Sequence, residues 1–168
     1  NSIINGVPDW TYEEEFMVQS SMAWSPDNLT LCYLKYNEKD VKNYSFPLYG
    51  GVYNQNKENA LYPDFYTYKY AKSGGVNSRV TVHSYDIETR KIKDITLTNS
   101  DIEYIPMISY ANNSNSLIIA TLNRSQNRLE LLMANPKTTI IKSIYVDVSK
   151  SWIEDVCYNN IKYDGNLC

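Results

Sequence analysis

Three consecutive glutamates form the most prominent local cluster of reactive side chains in the sequence. Glu13, Glu14 and Glu15 follow the stretch Asp-Trp-Thr-Tyr at 9–12 and precede the first strand-like pattern. Adjacent carboxylates repel one another unless a cation joins them, and a protonated amine offers three hydrogen-bond donors to such a group. The cluster therefore indicates either a docking site for an ammonium group or the solvated first turn of a helix, where glutamates suit the helix dipole.

Other catalytic and binding chemistries find little support. Neighbouring glutamates cannot act as a glycosidase pair, because those two acids must face each other across the scissile bond. His83, the single histidine, lies within an alternating strand-like stretch, which favours a sheet residue over a general base. No G-x-S-x-G, phosphate-binding or metal-ligand pattern occurs, so the sequence predicts no metal and no cofactor.

Length and composition indicate one globular domain. The chain has 168 residues, of which 43% are apolar and 21% charged. A net charge of -3 argues against a nucleic-acid partner, and the apolar runs are too short for a transmembrane helix. Cys32, Cys157 and Cys168 are odd in number and widely spaced, so no disulfide can be assigned from them.

A repeated pattern predicts the fold class. Three stretches combine an aromatic residue, a polar turn and a strand, with the aromatic residues at Trp24, Tyr110 and Tyr158. The last two are 48 residues apart and the first two 86. A period of about 40–50 residues with four strands per unit is typical of a propeller blade. The longer spacing therefore holds one blade and an insertion.

The insertion, at about 37–76, is rich in tyrosine and contains an alternating stretch at 66–70. It predicts a two-stranded arm whose aromatic side chains either meet a partner or fold back on their own blade. We therefore expect an all-β fold over 1–168: about three four-stranded blades in an open arc, with a β-arm. Because a closed propeller needs at least four blades, this chain is expected to be a fragment of a longer propeller. A β-sandwich is the alternative.

Residues 5–15 read Asn-Gly-Val-Pro-Asp-Trp-Thr-Tyr-Glu-Glu-Glu. This stretch resembles the signature of the dipeptidyl peptidase IV family, in the prolyl oligopeptidase clan, where an asparagine-glycine, an aspartate-tryptophan and a tyrosine precede a glutamate run. Further similar stretches follow in the same order, at 24–27, 44–46, 62–63, 70–77, 122–127 and Trp152. The resemblance therefore spans nearly the whole chain.

The resemblance implies an activity for the parent protein. Members of the family join an eight-bladed propeller to an α/β-hydrolase domain and release Xaa-Pro or Xaa-Ala dipeptides from free peptide N-termini by a serine mechanism. Glu14 and Glu15 match the glutamates that bind the substrate's α-ammonium, so that the second peptide bond reaches the serine. The catalytic triad belongs to the hydrolase domain, which is absent from this chain, so we expect the fragment itself to be inactive.

The resemblance also implies partners and a location. The arm, at about 40–75, is expected to form a homodimer together with the missing hydrolase domain. Usage rich in Asn, Lys and Ile favours a bacterial member in the periplasm or outside the cell.

Trp152 is followed by Ile-Glu-Asp-Val-Cys instead of the Arg-Phe-Arg stretch of mammalian members, which predicts a different outer subsite. The alternative function is a non-catalytic propeller that binds protein or polysaccharide.

Overall fold

Strands dominate the chain, as its tyrosine-rich and β-branched stretches predict. The computed structural model describes residues 2–49 and 62–154. Within them lie one short helix, α1 (Trp10–Glu14), and a series of antiparallel strands. The strands are β1 (Ile3–Asn5), β2 (Met22–Trp24), β3 (Thr30–Asn37), β4 (Asn43–Leu48), β5 (Asp64–Lys69), β6 (Arg79–Asp86), β7 (Ile92–Ile95), β8 (Tyr104–Tyr110), β9 (Leu117–Leu122), β10 (Arg128–Ala134) and β11 (Ile141–Val148).

The first sheet has four strand positions, and two short strands together occupy the position at one edge. Both β1 and β2 pair with β3, which is followed outward by β6 and β7. The even-numbered side chains of β3, from Thr30 to Tyr36, are buried, whereas the odd-numbered ones are half-buried. Leu34 lies opposite Val82 of β6, so one face of this sheet closes the core.

The second sheet runs β8-β9-β10-β11 in chain order. All six residues of β9 are buried, which explains why its sequence reads as an almost continuous apolar run. Between Tyr104 and Met107 the pairing of β8 with β9 shifts register, as in a β-bulge. The edge strand β11 has no fully buried side chain, since its residues are all exposed or half-buried.

The core lies between the two sheets and includes a few polar contacts. The thiol of Cys32 lies 3.2 Å from the hydroxyl of Tyr110, and Ser84 donates a hydrogen bond of 2.9 Å to the carbonyl of Pro136. Cys32 is a free thiol, and burial raises its pKa to about 11, so it is protonated at neutral pH. Cys157 and Cys168, the other two cysteines, lie outside the described residues.

The predicted arm is present as the two-stranded sheet β4-β5. Its register places Tyr44 opposite Tyr68 and Phe46 opposite Tyr66, with ring centroids 6.1 and 5.5 Å apart. Every side chain of β4 is exposed, so the arm presents its aromatic residues to solvent.

The all-β prediction and the first two predicted repeats are confirmed. Each of the two repeats forms a four-position antiparallel sheet, and the consecutive order of the second sheet is that of a propeller blade. The third repeat, around Tyr158, falls outside the described residues. In the described part of the chain, no helix has the length and apolar character needed to cross a membrane.

Candidate functional site

The glutamates lie on an excursion, a segment that leaves the first sheet after β1 and returns to it at β2, at the edge position that these two strands share. The chain leaves this position at Gly6, whose N–H donates to the carbonyl of Leu34 at 2.8 Å. It returns at Ser21, whose carbonyl accepts from the N–H of Leu34 at 2.9 Å. Gly6 has φ +71°, which disfavours any residue with a side chain. Residues 7–20 therefore project from the sheet while β1 and β2 both stay paired with β3.

Asp9 fixes the start of α1. Its Oδ1 accepts a hydrogen bond of 2.9 Å from the N–H of Tyr12, and its Oδ2 accepts a short hydrogen bond from the hydroxyl of Ser78. Burial raises the pKa of the Asp9 carboxyl, although the hydrogen bonds from Ser78 and Tyr12 act in the opposite direction. A side-chain cap of this kind stabilises a helix by about 1 kcal/mol, and here it also ties the helix to the chain entering β6.

Tyr12 and Phe16 dock the buried side of the excursion onto the second sheet. The hydroxyl of Tyr12 accepts a hydrogen bond of 2.9 Å from the N–H of Ile105, which lies within the irregular pairing of β8. Its ring centroid lies 5.0 Å from that of Tyr36, and the ring of Phe16 lies 5.2 Å from that of Tyr104. Tyr12 is 1% exposed, and this burial raises its pKa well above the usual value.

The three glutamates occupy the opposite side. Glu13, Glu14 and Glu15 are all exposed, and none takes part in an ion pair among residues 2–49 and 62–154. Partial burial raises the pKa of the Tyr68 phenol, with smaller contributions from neighbouring tyrosines and then from the Glu14 carboxylate. All three carboxylates are therefore presented to solvent, where a cationic group can reach them, and Glu14 lies closest to the base of the arm.

The base of the arm packs against the same helix. The ring centroids of Trp10 and Tyr70 are 4.0 Å apart. Two lysines of this region are engaged elsewhere: Lys69 donates to the carbonyl of Val41 at 2.7 Å, and the Lys72 ammonium lies 4.8 Å from the ring centroid of Tyr44. This arrangement leaves the glutamates accessible to a cation from outside.

His83 occupies the sheet position predicted for it. Its Nδ1 lies 2.7 Å from a carboxylate oxygen of Asp94, and its Nε2 lies 2.8 Å from the hydroxyl of Thr81. Asp94 is directly opposite on β7 and Thr81 is two residues away on β6, so neighbours on one sheet face account for both contacts. Tyr33 stacks on the imidazole with 5.4 Å between the ring centroids.

Sequence reasoning missed the side chains that support the site. Ser78 contacts Asp9 across 69 positions of sequence, and Arg124 joins the carbonyl of Gly75 to the carboxylate of Glu103. The sequence contains only a weak sign of the contact between Gly75 and Arg124. Gly75 lies in the stretch 70–77 and Arg124 in the stretch 122–127, and both stretches carry part of the family resemblance. Their spacing alone assigns no role to either residue.

The comparisons with known proteins give the same family as the motif. Residues 1–163 match the profile described as the dipeptidyl peptidase IV (DPP IV) N-terminal region. This chain belongs to the dipeptidyl peptidase IV family. Its all-β fold is that of the N-terminal propeller region of this family.

Individual members of the family support the assignment. The crystal structure of Porphyromonas gingivalis dipeptidyl peptidase 4 has a TM-score of 0.84 and 38% identity, and covers 93% of this chain and 21% of that chain. Venom dipeptidyl peptidase 4 of Vespula vulgaris is 30% identical over 165 residues, 90% of this chain and 20% of the relative. Inactive dipeptidyl peptidase 10 of Rattus norvegicus is 31% identical over 157 residues, 90% of this chain and 18% of the relative.

The chain thus spans about a fifth of the length of the family members that it matches. The bacterial structure among them agrees with the bacterial origin that composition favours.

Proposed function

We propose that this chain is the part of a dipeptidyl peptidase IV-type serine peptidase that recognises the substrate's N-terminus. Glu14 and Glu15 bind the protonated α-amine of a peptide, and a hydrolase domain outside this chain cleaves after the second residue, releasing Xaa-Pro or Xaa-Ala. On this proposal the chain by itself, a partial propeller over residues 1–168, has no peptidase activity.

The exposed carboxylates on a firmly held helix are the observation that carries the proposal. A capping aspartate fixes the start of α1, and the buried Tyr12 and Phe16 dock the excursion, while Glu14 and Glu15 stay in solvent without an ion-pair partner among the described residues. Fixed carboxylates lose little conformational freedom when they bind an ammonium. A merely solvated helix start does not require such anchoring.

Substitution of single glutamates in the full-length protein tests this role. Each charge-assisted hydrogen bond contributes about 1.5–3 kcal/mol, so Glu14→Gln or Glu15→Gln should lower kcat/KM for a free-amine dipeptidyl substrate by about 10- to 150-fold. Glu13→Gln is the matched control, since it removes the same charge from the same helix. Near-normal turnover in both the Glu14 and Glu15 variants would refute the role of the pair.

The second candidate is a non-catalytic propeller that binds protein or polysaccharide. It is favoured by one observation, the similarity to a relative that is named inactive. A chromogenic Xaa-Pro substrate, offered with its amine free and with its amine acetylated, separates the two functions. Cleavage of the free form alone supports the peptidase, and cleavage of neither form supports the binding protein.

The arm and the location of the protein belong to the same proposal. The exposed rings of β4 and β5 suit a homodimer contact of the parent, formed together with its hydrolase domain. Relatives with the same family name act on peptides as dipeptidyl peptidases, as their names state. We place the parent in the periplasm, the cell envelope or the extracellular space, where such peptides would be met.

A further inference from the structure

One segment links the arm to the first sheet and contacts the glutamate helix at two points. It is the segment 70–78, which begins where the ring of Tyr70 packs on Trp10 and ends where the hydroxyl of Ser78 bonds to Asp9. Both contacts fall at the start of α1, directly before the glutamates. The position of this segment therefore affects the orientation of α1, together with the contacts of Tyr12 and Phe16 on the second sheet.

The middle of the segment is a tight turn. The N–H of Gly75 donates to the carbonyl of Lys72 at 2.7 Å, and Gly74 has φ +78°. A Cβ at Gly75 would lie 2.8 Å from the same carbonyl oxygen, so this tight turn excludes a side chain at that position. A group that holds Gly75 therefore holds the whole turn.

Arg124, in the turn between β9 and β10, is that group. One guanidinium nitrogen donates to the carbonyl of Gly75 at 2.7 Å, and the other lies 2.7 Å from a carboxylate oxygen of Glu103. This carboxylate oxygen of Glu103 also accepts a hydrogen bond of 2.8 Å from the side-chain amide of Asn77. The same amide donates a hydrogen bond of 3.0 Å to the hydroxyl of Tyr104. Residues of the second sheet and its turns thus hold segment 70–78 at two positions, Gly75 and Asn77.

This network contributes more to the position of segment 70–78 than to the free energy of unfolding. The side chains of Arg124 and Glu103 are 45% and 33% exposed, and ion pairs exposed to this extent add little to stability. The guanidinium fork, however, fixes the directions of two acceptors at once, which a lysine cannot do. Its loss should displace the turn without unfolding either sheet.

We propose that Arg124 is a positioning residue for the glutamate site. It acts through Glu103, Gly75 and the segment 70–78, which hold α1 and so direct Glu14 and Glu15 toward the substrate amine. This inference rests on the proposed function, because it assigns to Arg124 the alignment of the amine-binding pair.

The test uses the full-length protein and two substrates. One is a Xaa-Pro p-nitroanilide with a free amine, and the other is its analogue without the amino group. In Arg124→Ala, kcat/KM for the free-amine substrate should fall about tenfold or more, mainly through KM, because misalignment weakens the amine contact. Turnover of the analogue should stay unchanged, since it makes no such contact. Arg124→Lys, which retains one of the two bonds, should lie between the wild type and Arg124→Ala.

Arg128→Ala is the matched control. Arg128 forms an equally short ion pair of 2.7 Å with Glu130 on the second sheet, and its contacts do not include segment 70–78. It should keep the preference of the wild type for the free amine. If Arg124→Ala lowers turnover of both substrates equally, or leaves both unchanged, the positioning role is refuted. A wild-type enzyme with no preference for the free amine would instead refute the proposed function, and this inference with it.

Discussion

The docking of α1 onto the second sheet includes one buried hydrogen bond to the Tyr12 hydroxyl, which Tyr12→Phe removes. The pairing of β8 shifts register between Tyr104 and Met107, and the Tyr12 hydroxyl supplies the acceptor for the N–H of Ile105. Ile105 is 2% exposed, so water does not easily replace the lost partner. An unsatisfied buried donor costs about 1–3 kcal/mol, which corresponds to about a 5- to 140-fold shift in a local opening equilibrium.

Amide hydrogen exchange in the full-length protein measures this shift. Peptides that contain Ile105 should exchange about 5- to 140-fold faster in Tyr12→Phe than in the wild type. Tyr145→Phe is the control, because Tyr145 is 51% exposed on β11. Equal protection of Ile105 in the wild type and in Tyr12→Phe would show that this hydroxyl does not hold α1 on the sheet, and the argument for a rigid glutamate site would fail.

Two further predictions concern pH and assembly. The hydroxyl of Ser25 and then the N–H of Leu29 lower the pKa of Asp27 from 3.8 to about 2, so the stability that this carboxylate contributes is present above pH 3.8 and lost as the pH falls through about 2. As the pH is lowered through this range, the urea midpoint of Asp27→Asn should therefore decline less than that of the wild type. Parallel declines in the two proteins would contradict the prediction. For the homodimer contact proposed for the arm, Phe65→Ser, at a residue 64% exposed, should shift the full-length protein from dimer to monomer in sedimentation velocity. The control Ile140→Ser, at a residue 70% exposed, should remain dimeric, and a dimer that persists in Phe65→Ser would argue against the arm contact.

The strands and the arm follow from local sequence, and the supports of the site do not. The alternating stretch that forms β6 and the apolar run that forms β9 carry their periodicity within a few residues, so the pattern identifies them. The contact of Tyr12 with Ile105 joins residues 93 positions apart, and that of Arg124 with Gly75 joins residues 49 positions apart. No local period encodes such pairs, because they depend on how two sheets are placed against each other.

The glutamate cluster illustrates the same limit. The sequence left two interpretations open for Glu14 and Glu15, an ammonium site or a solvated helix start. Both side chains are exposed, as either interpretation requires, but Glu14 is the last residue of α1 and Glu15 is its C-cap, so only Glu13 lies in the first turn. The anchoring of α1 by Asp9 and Tyr12 supports the amine-binding proposal, and those contacts appear only in three dimensions. The role of the pair in binding an amine stays a prediction until the variants are assayed.

The excursion also has a consequence for how the protein can change. Because Gly6 and Ser21 meet at the same residue, Leu34, the two ends of the excursion are already held together by the sheet. The entropic cost of closing a loop grows slowly, by about 0.6 kcal/mol for each doubling of its length. The exposed parts of segment 7–20 could therefore be lengthened, shortened or replaced, provided that Asp9, Tyr12 and Phe16 keep their buried contacts. A blade built in this way can exchange the exposed part of such a loop, by evolution or by protein engineering, without redesign of the sheet.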